Sequence, residues 1–151
     1  GQKTHQQNVT LGMNDSGKFE CRWTYLETEE SPCIFTKGLK EKIYLPVAHA
    51  EGKFVTDGKT LNCIEENEQV VFRYVDQEGK PTEYPGNPNG SLNNIAGICD
   101  STGRIFGLMP HPERYVNRYN HPRWTREVLP EEGDGLPVFK NAVEYAAKRL
   151  N

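Results

Sequence analysis

The chain has 151 residues, enough for one domain of ordinary size. Hydrophobic residues make up 35% and charged residues 26%, a polar balance, but 10% aromatics supply a core and exclude a disordered chain. The formal charge is −3 with no Lys/Arg block, which argues against nucleic acid as a partner, and no apolar stretch nears the roughly 18 residues of a membrane helix. No signal-peptide pattern opens the chain. The four cysteines (21, 33, 63 and 99) form no C-x-x-C pair, so reduced cytoplasmic thiols are expected rather than a zinc site or a disulfide framework.

The opening "GQKTHQQNVTLG" has no initial Met and runs into strand-like sequence, as expected of a processed terminus or a cut inside a larger domain. Asn14-Asp-Ser-Gly17 is a turn signal. Residues 18–27, "KFECRWTYLE", alternate, so Phe19, Cys21, Trp23 and Tyr25 are expected on the buried face of a strand. A second short strand, "IYLPVA" at 43–48, delivers a loop containing His49 and Glu51. Residues 58–67 predict a short helix with Leu61 and Ile64 inward and Asn67 as C-cap. "QVVFRYVD" at 69–76 predicts a strand, and residues 95–99 and 104–109 predict two more, joined by the turn Asp100-Ser-Thr-Gly103.

Two long polar loops interrupt this pattern. "QEGKPTEYPGNPNGSLNN" precedes the hairpin, and residues 115–135 follow it. Loops of such length are functional or mobile. The C-terminal helix is expected to turn Phe139, Ala142, Val143, Ala146 and Leu150 inward, with Asp134 as its cap and Pro137 in its first turn. His5 and His121 are expected at the surface, and Trp23 and Trp124 in packing roles.

The chemistry concentrates in "FGLMPHPER", where an apolar run stops at His111 and Glu113. Neutral imidazole accepts protons near pH 7, and a carboxylate on its other nitrogen fixes the tautomer and stabilises the imidazolium. Pro112 between them fixes φ and removes a donor, giving the chain a defined path out of the sheet. A base and its orienter make half of a nucleophilic triad that lacks its Ser or Cys. The spacing alone also fits an ordinary surface turn, since short motifs match often by chance. Cys99 in "AGICDSTG" is a poor nucleophile candidate. Ser stands at 101 where a tight elbow favours Gly, and a turn and strand follow instead of a helix. Cys21 reads as core, and Cys33 and Cys63 have no elbow. No pair of ligands shows metal-site spacing.

Four stretches in order, "NDSGKFECRW", "LPVAHAEGKF", "RYVDQEGKPTEYPGNPNGS" and "AGICDSTGRIFGLMPHPER", resemble the glutamine amidotransferase component of phosphoribosylformylglycinamidine synthase. "NHPRWTR" and "EGDGLPVFKNAVEY" resemble the C-terminal stretch of some members, so the likeness covers nearly the whole chain. The resemblance implies a class I, triad-type glutaminase on an α/β flavodoxin-like open sheet, here strand-rich with a C-terminal helix. It implies L-glutamine as substrate and His111 and Glu113 as catalytic residues. It implies no cofactor in this component, with ATP and Mg used by a partner synthetase that amidinates formylglycinamide ribonucleotide in purine biosynthesis. The family's elbow Cys is absent, so residues 1–151 are expected to be the C-terminal portion of one glutaminase domain, inactive alone, with roughly a hundred residues needed ahead of Gly1. Such a piece is expected to expose sheet edge and to oligomerise or aggregate.

Two further sets of residues follow from the resemblance. The loop with His49 and Glu51 either lines the glutamine pocket or partner interface or is a solvated turn. Ala50 stands where the family commonly has Gly, which would restrict φ if a left-handed conformation were needed. Asn87, Asn89 and Ser91, in "NPNGS", either meet the partner through the loop's exposed amides or belong to an ordinary turn-rich loop. Asn14, Ser16, Phe19 and Arg22 resemble part of a family motif. The alternative is a binding or scaffold module that keeps the fold without the chemistry.

Overall fold

Two antiparallel sheets carry the chain in a computed structural model that describes residues 7–150. His5 and the side chain of Leu150 lie outside the described residues. β1 (Val9–Met13) pairs with β4 (Glu51–Thr56) in the smaller sheet. The larger sheet has the order β3 (Lys42–His49), β2 (Glu20–Thr28), β5 (Val70–Val75), β6 (Ile95–Cys99), β7 (Phe106–Leu108). The fold is mixed α/β, strand-rich, and ends in α2 (Leu136–Leu150). Each strand pair among the described residues is antiparallel.

Local chemistry explains the expected elements. α1 (Gly58–Glu66) starts where Asp57 Oδ1 accepts from Thr60 N at 2.9 Å, and Asn67 caps its end. Its Leu61 and Ile64 pack against Phe54, Val70 and Ile95. The main core joins Leu26, Ile43, Leu45, Val47, Phe72 and Tyr74 between the sheet and its covering loops. The β6–β7 turn is organised by Asp100, whose carboxylate accepts from the backbone N–H groups of Thr102, Arg104 and Ile105. These bonds, led by the one from the Thr102 hydroxyl, hold the Asp100 carboxyl down at about 2. Gly103 closes the turn at φ +66° and lies against Pro32 and Cys33, where a Cβ would stand 2.9 Å from Cys33 N.

Several expectations are corrected. β2 buries Glu20, Thr24 and Leu26, whereas Phe19 is 63% exposed and Cys21 is exposed. The aromatic face of β2 is the second face, with the Trp23 and Tyr25 rings 5.1 Å and 4.4 Å from that of Tyr44. Both faces of the strand are covered, so alternation alone does not say which one meets the core. α2 turns Val138, Asn141, Ala142 and Tyr145 toward the protein, while Phe139 and Val143 face outward. Asp134 does not cap α2; its carboxylate accepts from Tyr44 N at 3.0 Å and pairs with Lys40. His121 is buried, with its ring 5.3 to 5.7 Å from those of Tyr115, Trp23 and Tyr44. β1 and β4 carry no clear strand signal of their own, although the chain before Asn14 reads as strand-like. The strand expected at 104–109 is shorter, because Asp100 holds Arg104 and Ile105 in the turn.

Gly103→Ala should cost about 2 kcal/mol or more, because it adds a backbone overlap to the left-handed strain. Gly38→Ala, at φ +70° with nothing within 4 Å of the new Cβ, pays only the conformational part, about 1 kcal/mol. Urea unfolding of both variants checks the difference, and equal losses would contradict the packing described. The turn also sets a pH expectation. A carboxyl depressed in the folded state contributes stability above its unfolded pKa and loses it as pH falls through the folded one. The Arg104 and Ile105 amide NMR signals should therefore titrate near pH 2, not near the ordinary Asp value.

Candidate active site

β3 is an edge strand, and its outer edge builds the site. In a strand the N–H and C=O of one residue point to the same side, so Tyr44 and Pro46 both address that edge. Pro46 has no N–H, which suits an edge position. Its carbonyl accepts from His111 N at 2.8 Å. The chain thus leaves β7, passes buried Pro110, and is caught on β3 as it reaches His111.

From there the backbone coils into a 3-10 turn, Pro112–Arg114, with Pro112 at its start. Arg114 N donates to His111 O at 3.2 Å and Tyr115 N to Pro112 O at 3.1 Å. This turn, rather than strand alternation, brings the side chains together. His111 Nδ1 meets Glu113 Oε1 at 2.8 Å. With Nδ1 engaged, Nε2 is the nitrogen left for proton transfer. The two side chains are 30% and 55% exposed, so the pair sits at the surface. Among the described residues none of the four thiols hydrogen-bonds His111. Cys99 ends β6 in the core, and burial, with Cys33 and Asp100 beside it, pushes its thiol up to about 11.

His49 and Glu51 flank the point where the chain passes from one sheet to the other. They end β3 and begin β4, where a loop was expected. Glu51 is exposed and His49 is buried. Asn14 Nδ2 donates to Lys18 O at 2.8 Å and His49 O at 2.7 Å, so its Oδ1 faces His49 Nδ1 at 3.0 Å. That arrangement requires the proton on Nδ1 and leaves Nε2 a bare lone pair, buried and without a partner among the described residues. Burial lowers the pKa of His49. Gly52 lies on the ring, where a Cβ would stand 2.8 Å from Nδ1. Ala50 is not among the residues with positive φ, so its methyl group meets no left-handed strain.

Glu20, directly opposite His49 in the sheet, is buried as well. The Ser16 hydroxyl at 2.7 Å, and then the Arg22 guanidinium, hold its carboxyl below the usual range. Arg22 also donates to Tyr84 OH at 3.0 Å. These polar residues gave no catalytic signal in sequence; Ser16, Glu20 and Arg22 fall in the "NDSGKFECRW" likeness and Tyr84 in "RYVDQEGKPTEYPGNPNGS".

The expectation that Asn87, Asn89 and Ser91 offer exposed amides is corrected. All three are buried. Asn89 Nδ2 donates to Gly52 O at 2.7 Å, and its Oδ1 accepts from Ser91 Oγ at 2.7 Å. Ser91 Oγ in turn accepts from Phe54 N at 2.9 Å. Asn87 Oδ1 accepts from Gly90 N, while its amide donates to Ser91 O. The loop clasps the start of β4 and leaves these groups no free donors to display.

Comparison with known proteins gives a consistent result. Residues 1–146 match the CobB/CobQ-like glutamine amidotransferase domain. The chain is 53% identical over 142 residues to the phosphoribosylformylglycinamidine synthase subunit PurQ of Dehalococcoides mccartyi, covering 93% of this chain and 54% of that protein. It is 47% identical over 150 residues to the subunit of the same name from Methanococcus maripaludis, covering 91% of this chain and 55% of that one. A solved structure titled as PurLQS from Thermotoga maritima superposes with a TM-score of 0.67 at 32% identity, over 95% of this chain and 55% of that one. The chain spans about half the length of the curated relatives it matches. With its His-Glu turn, its mixed α/β build and a domain match over nearly all its residues, the chain belongs to the CobB/CobQ-like glutamine amidotransferase domain family.

Proposed function

We propose that this chain supplies the general base and its orienter to a glutaminase of the phosphoribosylformylglycinamidine synthase type. The observation that carries the reading is the 2.8 Å contact of His111 Nδ1 with Glu113 on a turn fixed to the edge of β3. The thiol comes from a part of the protein outside these residues, and the chain alone is inactive.

The thiol gives its proton to His111 Nε2, and the thiolate attacks the side-chain carbonyl carbon of glutamine. The C–N bond breaks as the imidazolium returns that proton to the departing nitrogen, which leaves as ammonia. Water, deprotonated by the same Nε2, then attacks the thioester. The C–S bond breaks, releasing glutamate and restoring the thiol. Glu113 stabilises the charged imidazole in both halves. Ammonia passes to a cytoplasmic partner synthetase that uses ATP and Mg to amidinate formylglycinamide ribonucleotide. No cofactor is needed on this side. Exposed Glu51 is the polar group beside β3 that is free to meet substrate or partner, while buried His49 supports the strand junction from within.

Glutamate release by the full-length protein with its partner tests this reading. His111→Asn should lower kcat by about 10⁴-fold and Glu113→Gln by about 10²-fold. Added ammonium should restore amidination in both. Full activity in His111→Asn would favour the scaffold reading. Glutamate release by the isolated 151-residue chain, abolished by Cys99→Ser, would place the nucleophile inside the chain and overturn the proposal.

A further inference from the structure

We propose that Gly135, anchored by Asp134, is a positioning residue that holds the His111–Glu113 turn in its working geometry. The inference rests on the reading of His111 as the base and goes beyond it to a segment 22 residues away in sequence, counted from Glu113 to Gly135.

The returning segment lies directly behind the turn. Gly135 N donates to Tyr115 O at 2.9 Å and Gly133 N to Val116 O at 3.1 Å. Asp134 between them reaches the edge of β3 and accepts from Tyr44 N at 3.0 Å. Two residues further along the same edge, Pro46 O holds His111 N. The turn is therefore gripped on one side by β3 and on the other by a segment bonded to β3.

Gly135 sets the distance between the two sides. A Cβ there would overlap Pro112 O and stand 2.6 Å from the Pro112 carbonyl carbon and 2.7 Å from its Cα. That same oxygen accepts from Tyr115 N and closes the 3-10 turn. The obstacle is backbone, so no side-chain rotation relieves it. Gly135 is not among the glycines with positive φ, so no left-handed strain arises, and the three atoms nearest its Cβ all belong to Pro112. Pro112 cannot move without carrying His111 and Glu113 with it. Displacements near 1 Å in a reacting group cost about 10²-fold in rate.

The test uses the full-length protein with its partner and reads glutamate release. Gly135→Ala should lower kcat about 10²-fold with KM within twofold and should shift the acidic limb of the kcat pH profile as the Glu113 contact lengthens. Gly107→Ala is the control, since the nearest atom to its new Cβ is Ile98 O at 4.0 Å. Asp134→Ala should lower kcat about tenfold with KM unchanged. Asp134→Asn, which keeps an oxygen for Tyr44 N, should restore most of that loss. A folded Gly135→Ala with wild-type kcat and pH profile overturns the clamp. If Gly135→Ala does not fold, the Asp134 pair decides, and Asp134→Ala with unchanged kcat, or Asn failing to rescue, overturns it. His111→Asn is run alongside. Its retained activity would sink the functional reading, whereas its inactivity beside a normal Gly135→Ala would sink the clamp alone.

Discussion

The unpaired edge of β3 is the constraint on which the candidate site depends. An edge strand presents N–H and C=O groups that must find partners or invite another chain. Here proline removes one donor, His111 takes the carbonyl of Pro46, and the Asp134 carboxylate takes the N–H of Tyr44. At Tyr44 and Pro46 the edge is met by the very segments that carry and support His111. The His-Pro-Glu turn therefore behaves as an extension of the sheet, with the sheet's precision, although it looks like a loop in sequence.

The other end of β3 is held by a different device. Where the chain switches sheets, Asn14 fixes His49, and Asn89 and Ser91 fix the first residues of β4. Removing one partner from a buried hydrogen bond costs about 1–3 kcal/mol, because the group left behind keeps its desolvation penalty. Each of these amides serves two or more partners, so one substitution opens several such groups at once. Both ends of the strand on which His111 docks are thus fixed by polar networks, and the apolar core of Leu45 and Val47 lies between them.

What the sequence conveyed, and what it did not, follows from the range of each interaction. α1, β5 and β6 were legible because their signals are local: Leu61 and Ile64 at helical spacing before the Asn67 cap, the apolar run in "QVVFRYVD", and a turn headed by Asp100. His111 and Glu113 were legible as a pair because only one residue separates them. The buried face of β2 was not, since Trp23 is covered by Tyr115 and His121, Tyr25 packs on Tyr44, and the opposite face is buried despite Glu20 and Thr24. Asp134 looked like a cap because nothing nearby reveals a partner 90 residues earlier. "NPNGS" looked like an exposed turn because turn-forming amides read the same whether they bond water or backbone. α2 showed the right period but the wrong phase, and the stripe of Phe139 and Val143 lies outside.

The exposure of Glu113 explains why so much structure is devoted to one turn. A carboxylate–imidazole contact at the surface contributes only about 0–1 kcal/mol, because water and salt screen it and two side chains must be ordered to make it. At 55% exposure Glu113 falls in that regime, so the attraction between the two side chains is too weak to fix its own geometry. The buried carboxylate of Glu20 is different, since Ser16 and Arg22 hold it from within the fold. For the pair at 111 and 113 the geometry has to be imposed by the backbone. Proline at 112, the 3-10 hydrogen bonds, the carbonyl of Pro46 and the close approach of Gly135 all act on backbone atoms. Accessibility to solvent and fixed orientation pull in opposite directions, and the fold reconciles them by leaving the side chains at the surface while locking the chain beneath.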